Sequence, residues 1–202
     1  MRQKISKVLD RAKIAKKPSK KPVKLNLGCG TDYKEGWVNI DNNSDNNIDK
    51  LDKNWDLRKP LPYKDNSVDY IFNEHFFEHL TVEEGQVCMK DFMRVLKKGG
   101  VMRIAMPDLE EAIEQYLDQG WKKRPFIKRF GLEFVKTRAE LLNMSFSWWG
   151  HKWLYDWEEL ERRLKEAGYT NVKRCKQGKS THPELRGLET REESNLIAEV
   201  TK

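Results

Sequence analysis

Apolar and polar residues alternate from Val23 to Leu27 and stop at Gly28-Cys29-Gly30, the pattern of a strand ended by a glycine turn. Trp37 to Ile40 predicts a second strand, ending at Asp41. Val68 to Phe72 predicts another, introduced by the turn formers Asp65-Asn66-Ser67, with a weaker strand between them near Ile48 to Leu51. Thr81 to Leu96 has helical periodicity. Thr81 and Glu84 are spaced as a capping box, and Gly99-Gly100 follow basic Lys97 and Lys98 at the far end. Val101 to Met106 is the next predicted strand and Asp108 to Leu117 a helix. Asp156 with Glu159 caps another helix through Ala167 that stops at Gly168. Two late strands, roughly Asn171 to Cys175 and Leu196 to Val200, have no helical pattern between them and so can pair antiparallel.

Alternation of strand and helix demands parallel pairing with crossover helices, because only a long connection returns the chain to the same end of the sheet. The expected fold class is therefore α/β: a doubly wound, mostly parallel Rossmann-like sheet with an antiparallel C-terminal strand. The stretch from Gly120 to Lys152 departs from the alternation. It mixes basic residues with Trp121, Phe126, Phe130, Phe134, Phe146, Trp148 and Trp149, and reads as an insertion. Ligands of such sheets sit beyond the carboxyl ends of the strands. An insertion after the strand ending at Met106 would overhang that place as a lid or acceptor pocket.

At 202 residues one domain is expected, over residues 22–202. The charge is unevenly spread. Residues 1–21 carry nine Lys and Arg against Asp10 alone, a net +8, so of the chain's +7 only −1 remains for the body. A near-neutral body argues against a broad nucleic-acid footprint. In the basic arm Ile5, Val8, Leu9 and Ala12 fall on one helical face before Pro18. That face fits either peripheral contact with an anionic membrane or a loosely packed tail. Cys29, Cys88 and Cys175 are three and far apart, so neither a disulfide framework nor a zinc ribbon is indicated, and a reducing cytoplasm fits. No apolar run approaches the roughly 20 residues of a membrane helix.

The candidate chemistry begins at the first turn. Glycines leaving the first strand let backbone N–H groups approach a ligand closely, and an acid ending the second strand can accept both hydroxyls of a ribose. Here these are Gly28, Gly30 and Asp41. A nicotinamide cofactor is disfavoured, because the third glycine of its fingerprint falls on Tyr33 and the spacing from Gly30 to Asp41 is too short for a full pyrophosphate-binding helix.

Four ordered strings carry a resemblance: LNLGCG (Leu25 to Gly30), GWVNID (Gly36 to Asp41), Asp56 to Leu80 ending in NEHFFEHL, and RVLKKGGVMRIAMPD (Arg94 to Asp108). Together they resemble the class I S-adenosylmethionine-dependent methyltransferases. The nearest likeness is to a compact bacterial branch associated with surface-glycan assembly. The resemblance implies that Gly28, Cys29 and Gly30 cradle the amino acid part of the cofactor, that Asp41 holds the ribose and Asp56 and Leu57 the adenine, and that Asn73 and His75 line the methyl-bearing side. Asp32 stands where the family commonly has a further glycine.

A hydroxyl acceptor needs a base, and His75 is the first choice, since imidazole titrates near neutrality. Asp108 could orient the acceptor, and His151 could reach in from the insertion. Trp148 and Trp149 offer aromatic faces that suit a sugar ring, or serve as packing for the lid. His75-x-x-Glu78-His79 also matches a zinc-peptidase pattern. It follows a predicted strand and lacks an evident third ligand, so no metal is expected and Glu78 and His79 are read as structural. The expected function is O-methylation of a sugar or glycan intermediate. Methylation of RNA or protein is the alternative that the basic stretch Lys122 to Arg129 keeps open, and a non-catalytic cofactor-binding scaffold is the third.

Overall fold

The computed structural model describes residues 21–44 and 47–202. The basic arm, with its expected amphipathic helix, lies outside the described residues but for Lys21. Seven strands, β1 (Lys24–Leu27), β2 (Val38–Asp41), β3 (Lys53–Asn54), β4 (Val68–Glu74), β5 (Leu96–Met106), β6 (Thr170–Arg174) and β7 (Leu196–Thr201), form one sheet in the order β3-β2-β1-β4-β5-β7-β6. Pairing is parallel from β3 through β5, and β7 runs antiparallel to both β5 and β6. This is the expected mostly parallel α/β sheet with its antiparallel C-terminal strand.

One face of the sheet is apolar. Leu25, Leu27, Ile71, Met102 and Ile104 are fully buried or nearly so against α1 (Val82–Val95) and α5 (Trp157–Glu166). Helix α1 begins with a complete capping box between Thr81 and Glu84 and turns Cys88, Met89, Phe92 and Val95 inward at helical spacing. Asp156 caps α5, whose Leu160 and Leu164, one turn apart, are fully buried.

The opposite face is partly polar and carries no helix from the β1–β2 connection, which is too short for one. The irregular segment 175–195 packs there instead. Fully buried Arg103 of β5 ties it down: its guanidinium pairs with Glu189 and with Glu199 (2.6 Å) and donates to the carbonyls of Lys179 (3.0 Å) and Lys176 (3.1 Å). A buried charge is tolerated only when paired and hydrogen-bonded, and here its donors find partners on several sides.

Two expectations differ in detail. The strand expected near Ile48 to Leu51 lies instead at Lys53–Asn54, where Ile40 pairs with Lys53 and Asp41 with Asn54. Strand β5 starts at Leu96 rather than Val101, with Gly99 and Gly100 inside it. Gly99 has φ +77°, and a Cβ on Gly100 would come within 2.9 Å of the Lys97 carbonyl oxygen. The segment from Gly120 to Lys152 is ordered into α3 (Pro125–Arg129) and α4 (Arg138–Ser147), with a separate apolar cluster that includes Trp121, Ile127, Leu141 and Met144. Helix α4 packs on α2 (Leu109–Leu117), which directly follows β5. No helix among the described residues is long and apolar enough to cross a membrane.

Candidate active site

A cavity of about 720 Å³ opens at the carboxyl ends of β1, β2, β4 and β5. Its wall includes Gly28, Cys29, Gly30 and Asp41, then His75, His79, Pro107 and Asp108, and from the insertion Phe130, Met144, Trp149 and His151. The volume is in the range of small-molecule sites.

The turn after β1 is glycine for two reasons. Gly28 has φ +68°, and a Cβ there would lie 2.7 Å from the Phe76 ring; Gly30 has φ +50° with open space where a Cβ would stand. Asp41 fastens this turn to the end of β2, accepting from the Gly30 N–H at 2.7 Å and from the Asn42 N–H at 2.6 Å. Each carboxylate oxygen keeps a second lone pair for a ligand hydroxyl. The loop that follows is held from beneath by two buried asparagines. Asn26 Nδ2 donates to Asn39 Oδ1 and to the Asp32 carbonyl, both at 2.9 Å, while Asn39 Oδ1 accepts from the Lys34 N–H at 2.8 Å. These bonds define the loop path that the missing glycine at Asp32 leaves open. Burial, reinforced by nearby Asp41, pushes the Cys29 thiol up to about 12, so it stays protonated and is no nucleophile.

A residue leaving β4 changes direction in the left-handed region: His75 has φ +52°, held by its N–H on the Ala105 carbonyl at 2.9 Å. His75 Nδ1 stands 3.0 Å from Glu78 Oε1, and its buried Nε2 has no hydrogen-bond partner among the described residues. Only a single 3-10 turn, Phe77–His79, follows, so His75 and His79 do not share a helical face. Burial lowers the His79 pKa against the opposing pull of Glu78 and favours the neutral ring. His151 reaches the same place from the insertion, with ring centroids 5.1 Å from His79 and 5.7 Å from Trp149.

The other site residues divide. Asp108 lines the cavity while capping α2 and pairing with Arg174 at 2.6 Å, and burial raises its pKa. Asp56 and Leu57 lie outside the cavity wall: Asp56 is bound to Arg58 at 2.9 Å, and Leu57 is packed in the core. Asn73 is fully buried and does not line the cavity. Trp149 lines it, whereas Trp148 stacks outside on Phe134, with ring centroids 5.9 Å apart.

Sequence reasoning missed Glu74. Its carboxylate lies in the cavity wall and collects the N–H groups of Thr190 and Arg191 and the hydroxyls of Thr190 and Ser194 (2.6 Å). It thereby holds the loop before β7 at the cavity. The available signal was a charge beside apolar residues at each place: Glu74 at the end of β4 and Arg103 in the run from Val101 to Met106.

Residues 25–104 match a family described as Methyltransferase domain. Among solved structures, a SAM-dependent methyltransferase from Archaeoglobus fulgidus is similar at 17% identity over 90% of this chain and 86% of its own, with a TM-score of 0.53. A candidate O-methyltransferase from Nostoc punctiforme is similar at 11% identity over 91% and 53%, with a TM-score of 0.51. At these identities the structures share a fold. No curated protein matches the chain. The left-handed glycine turn, the acid at the end of β2 and the family match over residues 25–104 converge: the chain has the class I SAM-dependent methyltransferase fold, and its first five strands match the methyltransferase domain.

Proposed function

We propose that the enzyme methylates a hydroxyl of a sugar or glycan intermediate. The observation that carries this reading is one shared cavity. The glycine turn and Asp41 face the same space as His75, His151 and the aromatic side chains of Trp149 and Phe130. Aromatic faces with polar groups between them suit a hydroxyl-rich ring.

In this reading Gly28, Cys29 and Gly30 cradle the amino acid part of S-adenosylmethionine and Asp41 accepts from its ribose. The bound cofactor supplies a methyl group already activated on a sulfonium. What remains for the chain is positioning and proton management. His75, in the cavity wall, is the base that accepts the proton of the acceptor hydroxyl. The insertion, over residues 120–152, excludes water and supplies the acceptor wall.

Methylation of RNA would call for free cations at the cavity. The basic stretch that suggested it is partly neutralised, Arg124 by Asp118 and Arg129 by Glu192, which favours the glycan reading. The test is transfer of labelled methyl from S-adenosylmethionine to panels of glycans, RNA and proteins. Label is expected in a base-stable ether on a glycan. His75→Ala is expected to lower turnover by about 10²–10⁴-fold with cofactor affinity retained. Label on RNA or protein alone would contradict the acceptor, and cofactor binding without transfer to any panel would favour a scaffold.

A further inference from the structure

A buried carboxylate with no hydrogen bond lies beside two histidines at the cavity, and this is the arrangement that the methyl-transfer chemistry leaves least explained. The Glu78 side chain is 1% exposed, and neither carboxylate oxygen receives a hydrogen bond from the described residues, since His75 Nδ1 at 3.0 Å lies off the bonding direction. Buried charges are retained when they are paired or when they coordinate a metal.

One oxygen of Glu78 and one ring nitrogen from each of His79 and His151 lie within 4.8 Å of one another, with His79 Nε2 4.0 Å from Glu78 Oε1. We propose that Glu78, His79 and His151 bind one divalent transition-metal ion of the zinc class, leaving a coordination position open to the cavity. Oxygen and imidazole donors suit such an ion, and three protein ligands with a free position are the pattern of reactive rather than structural sites.

The tautomer of His151 agrees. Its Nδ1 lies 2.8 Å from the Ser145 carbonyl, which can only accept, so Nδ1 carries the hydrogen and Nε2 keeps its lone pair. His151 is also fixed in place from the other side: the N–H groups of Lys152 and Trp153 donate to the Glu78 carbonyl at 2.7 and 3.3 Å, clamping the end of the insertion onto the turn that carries Glu78 and His79. A tetrahedral ion with ligands at about 2.1 Å sets those atoms roughly 3.4 Å apart. Small side-chain rotations therefore close the present spacing. His151, remote in sequence, is the third ligand that His75-x-x-Glu78-His79 lacks, and His75 becomes a neighbour of the ligand Glu78 rather than a ligand.

Ion binding stands on this geometry alone. Only its use, holding an acceptor oxygen at the open position, rests on the methyl-transfer reading. The test is titration of the metal-stripped full chain with Co²⁺ followed by visible absorption, with Zn²⁺ competition and elemental analysis. One ion per chain is expected, with the intense bands of a four- or five-coordinate site displaced by Zn²⁺ and an affinity at least tenfold lower in both His151→Ala and His79→Ala. His151 is partly exposed, so its variant keeps the fold, which circular dichroism verifies. Substoichiometric binding, or bands unchanged in both variants, would overturn the proposal. Calorimetry with S-adenosylmethionine on the same samples separates the two readings. Cofactor binding without ion binding defeats the metal site alone; ion binding without cofactor binding supports it and defeats the methyl-transfer reading alone.

Discussion

Glu74 shows how a single charged residue connects sheet and cavity. Its pKa is held below the ordinary value of 4.5: burial pushes it up, but the hydrogen bonds from Ser194, Thr190 and Arg191 outweigh burial. A depressed folded-state pKa means that this carboxylate stabilises the fold fully above the unfolded value and loses that contribution as pH falls through the folded one. Wild type should therefore lose stability as the pH drops below about 4.5. Glu74→Gln should be less stable at pH 7 by about 1–3 kcal/mol and show a flatter dependence below 4.5. Urea denaturation of both proteins from pH 7 to pH 3.5 checks this. Parallel curves would contradict it. Such residues are hard to place from sequence, because the partners of Glu74 and Arg103, Thr190 and Glu189, are far along the chain. Gly28 and Asp41 were legible, since a strand-ending glycine and a strand-ending acid each carry a local signal.

At the scale of elements, legibility followed local chemistry. The capping box expected at Thr81 and the cap expected at Asp156 both formed, because a cap is a contact within one turn. Strand β3 was misplaced because Ile48 and Leu51, the apolar pair that suggested it, are only half-buried, while the actual strand is a polar two-residue edge chosen by pairing to β2. The doubled glycine was read as a helix end, but α1 passes into β5 at Leu96, and the glycines serve the strand's irregular start. The insertion has its own cluster, distinct from the main core. Leu141→Ala should therefore cost about 2–5 kcal/mol within that cluster. The expected outcome is proteolysis between residues 120 and 150 at much lower protease concentration, with amide exchange in β4 and β5 unchanged. Equal loss of protection in both regions would show that the insertion and the sheet unfold together.

For the whole molecule, fold and cofactor class were legible because a parallel sheet writes its strands, turns and crossovers in order along the chain. The acceptor side was not, since it is assembled from the turn after β4, the insertion and the segment before β7, which meet only in the folded state. Asp56 and Leu57, assigned by linear likeness, and Trp148, assigned for its aromatic face, are not among the residues that line the cavity. His151 was foreseen at the site, but its proximity to Glu78 and His79 was not.

The account as a whole depends on the pocket formed by the glycine turn and Asp41. Calorimetric titration of S-adenosylmethionine into the wild-type chain and into Asp41→Ala tests it most directly. One cofactor per chain should bind the wild type, and the loss of a charged hydrogen-bond acceptor should weaken binding by about 10–100-fold in a variant that remains folded. Absence of binding to the wild type, or equal affinity in the two proteins, would contradict the account.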